Sequence, residues 1–255
     1  KISHLNGSVM NDLFQTLKIE AREMASRYRP SFYDHFGPEI SYSREIFFDH
    51  PLILRCAEDV LPFLHDDYGH GVEHSKNVSI ESGAIILAEL YHKDLVLGRH
   101  LILLAQLAGL LHDICRLEDH HAQMGADLAP TILQDFPLSD ADKEMIAFAI
   151  KNHEAFQSLD SAPDFSTYLL SSALYDADKF RWGPDNFTTT LWKICDYQEW
   201  PLEKIVERFP RGLQIISSIG DSFRTNTGQI YGPEFIKCGL KVGNYIYRRI
   251  KQFCY

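Results

Sequence analysis

The chain has 255 residues, is 45% hydrophobic and 24% charged, and carries a formal net charge of −10 from 35 acids against 25 bases. That length buries a sizeable core in one large domain, and the composition is that of an ordinary globular protein, not a fibrous or disordered one. The acidic balance argues against a basic nucleic-acid or membrane-binding surface, and no apolar run is long enough to span a bilayer as a helix.

Apolar residues recur mostly at helical spacing. Residues 10–28, MNDLFQTLKIEAREMASRY, predict a first helix with Leu13, Phe14, Leu17 and Ile19 at apolar positions. Residues 30–50, PSFYDHFGPEISYSREIFFDH, are aromatic and irregular and read as a lid or cover. A second helix is expected over 51–65, and a third over 74–93 with Val78, Ile85, Ile86 and Leu90 inward. Residues 98–114, GRHLILLAQLAGLLHDI, are apolar nearly all round, as a central buried helix would be. The helix expected over 121–136 carries Pro130 in its middle, where a kink or break is expected. Ser139 opens the next, over 139–156, with acids in its first turn. DFSTYLLSSALYDADKF follows over 164–180. Residues 181–200 again read as an irregular aromatic cover, and two more helices are expected over 201–223 and 232–253. No stretch shows the sustained alternation a sheet needs. The expectation is therefore an all-α, single-domain helical bundle over residues 1–255.

The five cysteines, Cys56, Cys115, Cys195, Cys238 and Cys254, are scattered and form no CxxC. A disulfide framework or thiolate zinc site is not expected, and a reducing, cytoplasmic setting fits this usage. The opening residues KISHLNGSVMNDLF lack the basic-then-apolar layout of a secretory leader.

The twelve histidines are unevenly spread, with eight between His65 and His121. Four motifs fall at predicted helix ends: YGHGVEHSKNV with His70 and His74, LLHDICR with His112 and Asp113, DHHAQMGA with His120 and His121, and IKNHEAF with His153. YDADKF then supplies Asp176, Asp178 and Lys179. A bundle points side chains from several helices inward at one level, which is how many metal sites in bundles are built. Imidazole suits Fe, Mn, Ni, Co and Zn, whereas carboxylate suits harder ions such as Mg and Mn. A carboxylate also bridges two ions, and ions about 3.5–4 Å apart hold a phosphoryl oxygen and activate water.

The order His74, then His112–Asp113, then Asp178 resembles the H…HD…D pattern of the HD-domain superfamily of metal-dependent hydrolases. His121 and His153 match two further histidines of its two-metal subset, and the likeness covers about residues 65–180. It implies an HD-type helical core with N- and C-terminal helical extensions. It also implies one or two divalent ions, drawn from Fe, Mn, Ni, Co, Zn and Mg. One ion would take His74, His112, Asp113 and Asp178, and the second His121 and His153, with Asp113 bridging. Lys179 matches a position that often contacts phosphate, and His70 a general acid of related phosphodiesterases. Cys115–Arg116 stands where many members have Gly-Lys, and Arg116 would serve as a phosphate clamp. The eight-position gap from Asp113 to His121 is short for the subset, so His120 stays as an alternative ligand. Asp176 is the alternative to Asp178 if the register in DADK is displaced.

Each of these residues taken alone has a plainer reading. An HD dipeptide arises often by chance, Lys179 reads equally as a surface lysine, and Arg116 as a partner of Glu118 or Asp119. Trp182, Trp192 and Trp200 read as core plugs. The ordered set of six is what carries weight. It implies a phosphohydrolase acting on a nucleotide or other small phosphate ester through metal-activated water, with Asp113 positioning or deprotonating that water. The same ligand order resembles the di-iron oxygenases of the superfamily, typified by myo-inositol oxygenase. A non-catalytic metal- or nucleotide-binding regulator is the third expectation. A small phosphorylated molecule is the expected partner, with neither nucleic acid nor membrane.

Overall fold

The computed structural model describes residues 7–64, 71–90, 94–198 and 200–254. Among them the regular structure is helical, with no strand. The α-helices are α1 (Gly7–Ala25), α2 (Phe32–His35), α3 (Gly37–Asp49), α4 (Pro51–Val60), α5 (Val72–Leu90) and α6 (Leu95–Leu111). They continue as α7 (His121–Ile132), α8 (Asp140–Lys151), α9 (Phe165–Phe180), α10 (Leu191–Tyr197), α11 (Leu202–Ile219) and α12 (Asn226–Cys254). None of the described helices is long and apolar enough to cross a membrane.

The fold is an all-α single domain organised around α6. Because α6 is apolar on every side, it is stable only when wrapped. Helix α5 packs along it most extensively, α9 lies on both, α8 packs on α6 and α9, and α7 leans on α8. Helices α3 and α4 cover α5 and α6 from the other side, while α11 pairs with α12, which reaches α1, α5 and α9. As expected, Val78, Ile85, Ile86 and Leu90 face inward. The α5–α6 contact is close because Gly109 has no side chain. A β-carbon there would lie 2.7 Å from the Ser79 Cα and 2.8 Å from its amide nitrogen.

Helix starts follow local chemistry. The Ser139 hydroxyl accepts from the Asp142 amide while the Asp142 carboxylate accepts from the Ser139 amide, a reciprocal cap that starts α8. Asp94 caps α6 and Asp164 caps α9 in the same sense.

Several expectations fail for identifiable reasons. Residues 30–50 are not an irregular cover; most of them form α2 and α3. Pro38 pre-sets the first turn of α3, and its buried face uses Ser43, whose hydroxyl donates to the Ile80 carbonyl. Residues 181–200 hold a π-helical turn at Asn186–Thr190 and then α10, with Trp192 buried and its indole donating to the Phe187 carbonyl. Ile19 is 55% exposed, since α1 buries Leu13, Leu17 and Ala21 instead. Helix α7 runs through Pro130 and stops two residues later. The last helix begins at Asn226, not 232, and runs through Pro233.

Candidate metal centre

The dry interior of α6 ends on His112, and Asp113 follows in the turn. His74 sits in the first turn of α5, His121 is the first residue of α7, and His153 follows the end of α8. Asp178 and Lys179 lie in the last turn of α9. All of these side chains are buried; His74, His112 and Asp178 form one compact donor group and His112, Asp113 and His153 another, and His121 joins through Asp113. His120 does not join them. It is exposed and takes a left-handed backbone conformation (φ 59°) that turns the chain into α7, which leaves His121 as the inward histidine. Asp176 also points elsewhere, its carboxylate accepting from the Arg224 and Thr225 amides and the Thr225 hydroxyl. His70 lies outside the described residues.

The two oxygens of Asp113 face two different donor sets. Its Oδ2 is 3.6 Å from His74 Nε2 and 3.3 Å from His112 Nε2. Asp178 Oδ1 closes this set, 3.3 Å from His74 Nε2 and 3.9 Å from His112 Nε2. The opposite oxygen, Asp113 Oδ1, is 3.5 Å from His121 Nε2 and 3.5 Å from His153 Nε2. Metal–ligand bonds of about 2.0–2.2 Å place neighbouring ligands roughly 3–3.5 Å apart, so these spacings suit donors sharing a cation.

The rings are turned for coordination. His112 Nδ1 lies 2.8 Å from the Gly109 carbonyl, and His153 Nδ1 2.6 Å from the Ile150 carbonyl. Donation from Nδ1–H leaves the Nε2 lone pair facing the cluster. His74 Nε2 and His112 Nε2 are 3.1 Å apart. With the proton of His74 on Nε2 this is an N–H···N hydrogen bond to His112, and with that proton on Nδ1 both lone pairs would face a shared cation. The donor set therefore fits one or two borderline divalent ions.

Charges tune the cluster. Burial opposes charge on His112, yet the carboxylates of Asp113 and Asp178 raise its pKa. Burial pulls His121 down to about 4, with His153 and Arg116 adding to the effect against Asp113. His121 is thus neutral near pH 7 and offers its lone pair. Burial would raise Asp178, but Lys179, His74 and His112 hold it well below the usual carboxylate range. Lys179 is turned inward, donating to the Asp178 carboxylate and, at 3.0 Å, to the His153 carbonyl. It links the two donor sets and does not face solvent.

Arg116 borders the second set. Its Nη1 is 3.0 Å from His121 Nε2 and 3.7 Å from Asp113 Oδ1, and the side chain is 32% exposed. A cavity of about 250 Å³ reaches His74 and Arg116, with Arg181 and Trp182 also in its wall. Two groups in this neighbourhood carried no readable signal. Glu154 approaches His121 Nδ1 at 3.4 Å, its only sequence trace being its place beside His153. Arg181 Nη2 holds buried Glu81 at 2.7 Å and the Tyr33 hydroxyl at 2.8 Å. Burial raises the Glu81 pKa, with Arg181 opposing.

Comparison with family models, curated proteins and solved structures gives no match for this chain.

Proposed function

We propose that the chain is a metal-dependent hydrolase of small phosphate esters, built on the HD ligand pattern around a two-ion centre. The observation that carries this reading is the division of labour at Asp113, one oxygen toward His74, His112 and Asp178 and the other toward His121 and His153. Divalent ions held there would supply Lewis-acid charge toward phosphoryl oxygens and would lower the pKa of bound water. The remaining work falls to the chain itself. Asp113 and Asp178 fix the donors, and Lys179 holds Asp178 against the backbone of His153. The Arg116 guanidinium, half-exposed beside the cavity, offers bidentate donors to a phosphate oxygen. Arg181 lines the same wall but is already paired with Glu81 and Asp185, so of the two arginines Arg116 is the one placed to meet an anionic group.

Metal analysis of protein purified without chelators, paired with a screen of phosphatase, diesterase and nucleotidase substrates, tests this reading. About two ions per chain and phosphate release with Mn, Co or Ni in anaerobic buffer are expected. A di-iron absorption band with substrate-dependent dioxygen uptake would replace it with the oxygenase reading. Full metal loading with no turnover on any substrate would leave a binding protein.

Arg116 makes the two donor sets unequal. A fixed cation at 3.0 Å from His121 Nε2 repels an ion entering the second set. Metal titration of the wild type is expected to show two steps, the first belonging to the His74, His112, Asp113 and Asp178 set. Arg116→Ala should tighten the second step by on the order of tenfold, since even a screened interaction of about 1.4 kcal/mol has that effect. Turnover should fall in the same variant because the phosphate loses a partner. Identical second-step constants in the two proteins would remove Arg116 from this role.

A further inference from the structure

The cavity at the metal centre measures about 250 Å³. That is below the roughly 300–1,000 Å³ of sites for drug-sized ligands, so it takes a phosphoryl group with a small organic body but not an extended ligand. Next to it lies a larger space of about 680 Å³, between α11 and the segment carrying the π turn and α10. The two share walls: Asn186, Ile194, Gly212, Ile215 and Ile216 line both. The floor of the larger space is apolar, made by Phe187, Leu191, Ile205 and Phe209, with Phe187 and Phe209 stacked at 5.8 Å between ring centroids. Charged residues there, Glu207, Arg208 and Arg211, are exposed and belong to its rim.

Gly212 marks the junction. It lies in the interior of α11, where glycine is a poor choice because the unfolded chain gains freedom and the helix gains no packing. Gly109, by contrast, is forced by its contact with Ser79, whereas Gly37 at the start of α3 and Gly98 in α6 are not forced in that way. At Gly212 a β-carbon would meet no atom within 4 Å. No packing constraint within the protein requires a glycine here, and the position opens onto the wall common to both cavities.

We propose that the larger space is the binding groove for an apolar body of the substrate. The substrate is then a phosphate ester of an extended alkyl or aryl alcohol, its phosphate at the metal centre and its apolar chain passing Gly212 over Phe187, Leu191 and Phe209. This rests on the phosphohydrolase reading for the identity of the head group alone. The groove adjoins the metal cavity along five shared residues, so an extended ligand passing over Gly212 would reach both. A nucleotide, by contrast, brings a sugar and a polar base to a floor that offers few hydrogen-bond partners.

Titration calorimetry of the Mn-loaded full chain with n-alkyl phosphonates from methyl to dodecyl tests the assignment, because phosphonates bind without being cleaved. Affinity should rise by about two- to fourfold per methylene, the range for partial to full burial of a CH₂ group, until the groove is full. Gly212→Trp should flatten this dependence, and Leu191→Gln should reduce it for the longer members. Gly212→Ala should melt about 1–4 °C higher than the wild type, since the helix gains and nothing clashes. This variant and circular dichroism of Gly212→Trp separate a blocked groove from a damaged fold. A flat wild-type series with methyl phosphonate bound overturns the groove and leaves the phosphohydrolase reading standing. Equal binding of n-alkanols and alkyl phosphonates keeps the groove and removes the phosphate. A flat series accompanied by a dimer that Leu191→Gln dissociates overturns the assignment in favour of a second copy covering this face.

Discussion

Asp113→Ala is expected to abolish turnover and to strip the centre of metal at both donor sets. The residue is buried, and each of its oxygens faces a different pair of imidazoles. Its loss therefore removes a ligand from both sets at once. It also leaves four imidazoles converging with only the Asp178 carboxylate to balance a cation. Removing one partner of a buried charged cluster is strongly destabilising for what is left, by about 3–5 kcal/mol in typical cases. Metal content by elemental analysis should fall from about two ions per chain to below a half. Asp178→Ala should differ, since Asp178 approaches His74 and His112 only. It should retain the second ion better than the first. Surviving turnover in Asp113→Ala would place the chemistry elsewhere.

The second large effect belongs to Gly109→Ala. In an open helix this change stabilises by up to about 1 kcal/mol through helix propensity. Here the sign reverses, because the new methyl would lie 2.7 Å from the Ser79 Cα and 2.8 Å from its nitrogen, both backbone atoms of α5. No rotamer relieves that contact, so α5 and α6 must separate. Overpacking of this kind costs about 1–3 kcal/mol, occasionally more, and outweighs the propensity gain. A drop in Tm of several degrees is expected, at about 2–4 °C per kcal/mol for a chain of this size. The damage should reach the metal. His74 rides on α5, His112 ends α6, and the Gly109 carbonyl itself orients His112. Weaker metal binding should accompany the lower Tm. Unchanged metal affinity in a destabilised variant would show that the two helices can part without disturbing their shared ligands.

Much of this was readable from residue types and spacing. A segment apolar on all sides has to be central, and α6 is. Ligating side chains at successive helix ends have to converge if the helices pack antiparallel around it, and the six do. Other features left no local trace. Helix α3 buries Ser43 along with Phe47, and a buried serine blurs the apolar stripe that marks a helix face. The π turn at Asn186–Thr190 breaks the 3.6-residue period just before α10, so the segment reads as irregular. Asp176 and Asp178 are alike in sequence, but residues two apart point to different sides of a helix, and only packing decides which meets His74. The Arg181–Glu81 pair joins positions 100 residues apart, a distance no motif spans. Lys179 was legible as a charge, while the carbonyl it holds was not.

The Asp176 carboxylate accepts from the Arg224 amide, 48 positions downstream, and from the amide and hydroxyl of Thr225. That fastens the start of α12 to the same helical turn that presents Asp178. The C-terminal arm, which contributes no residue to the candidate metal centre, is thus moored one step from it. Sequence drift in the stretch leading into that arm has a short mechanical route to the candidate centre, so its tolerance for change should follow the demands of that centre and not those of an ordinary surface loop.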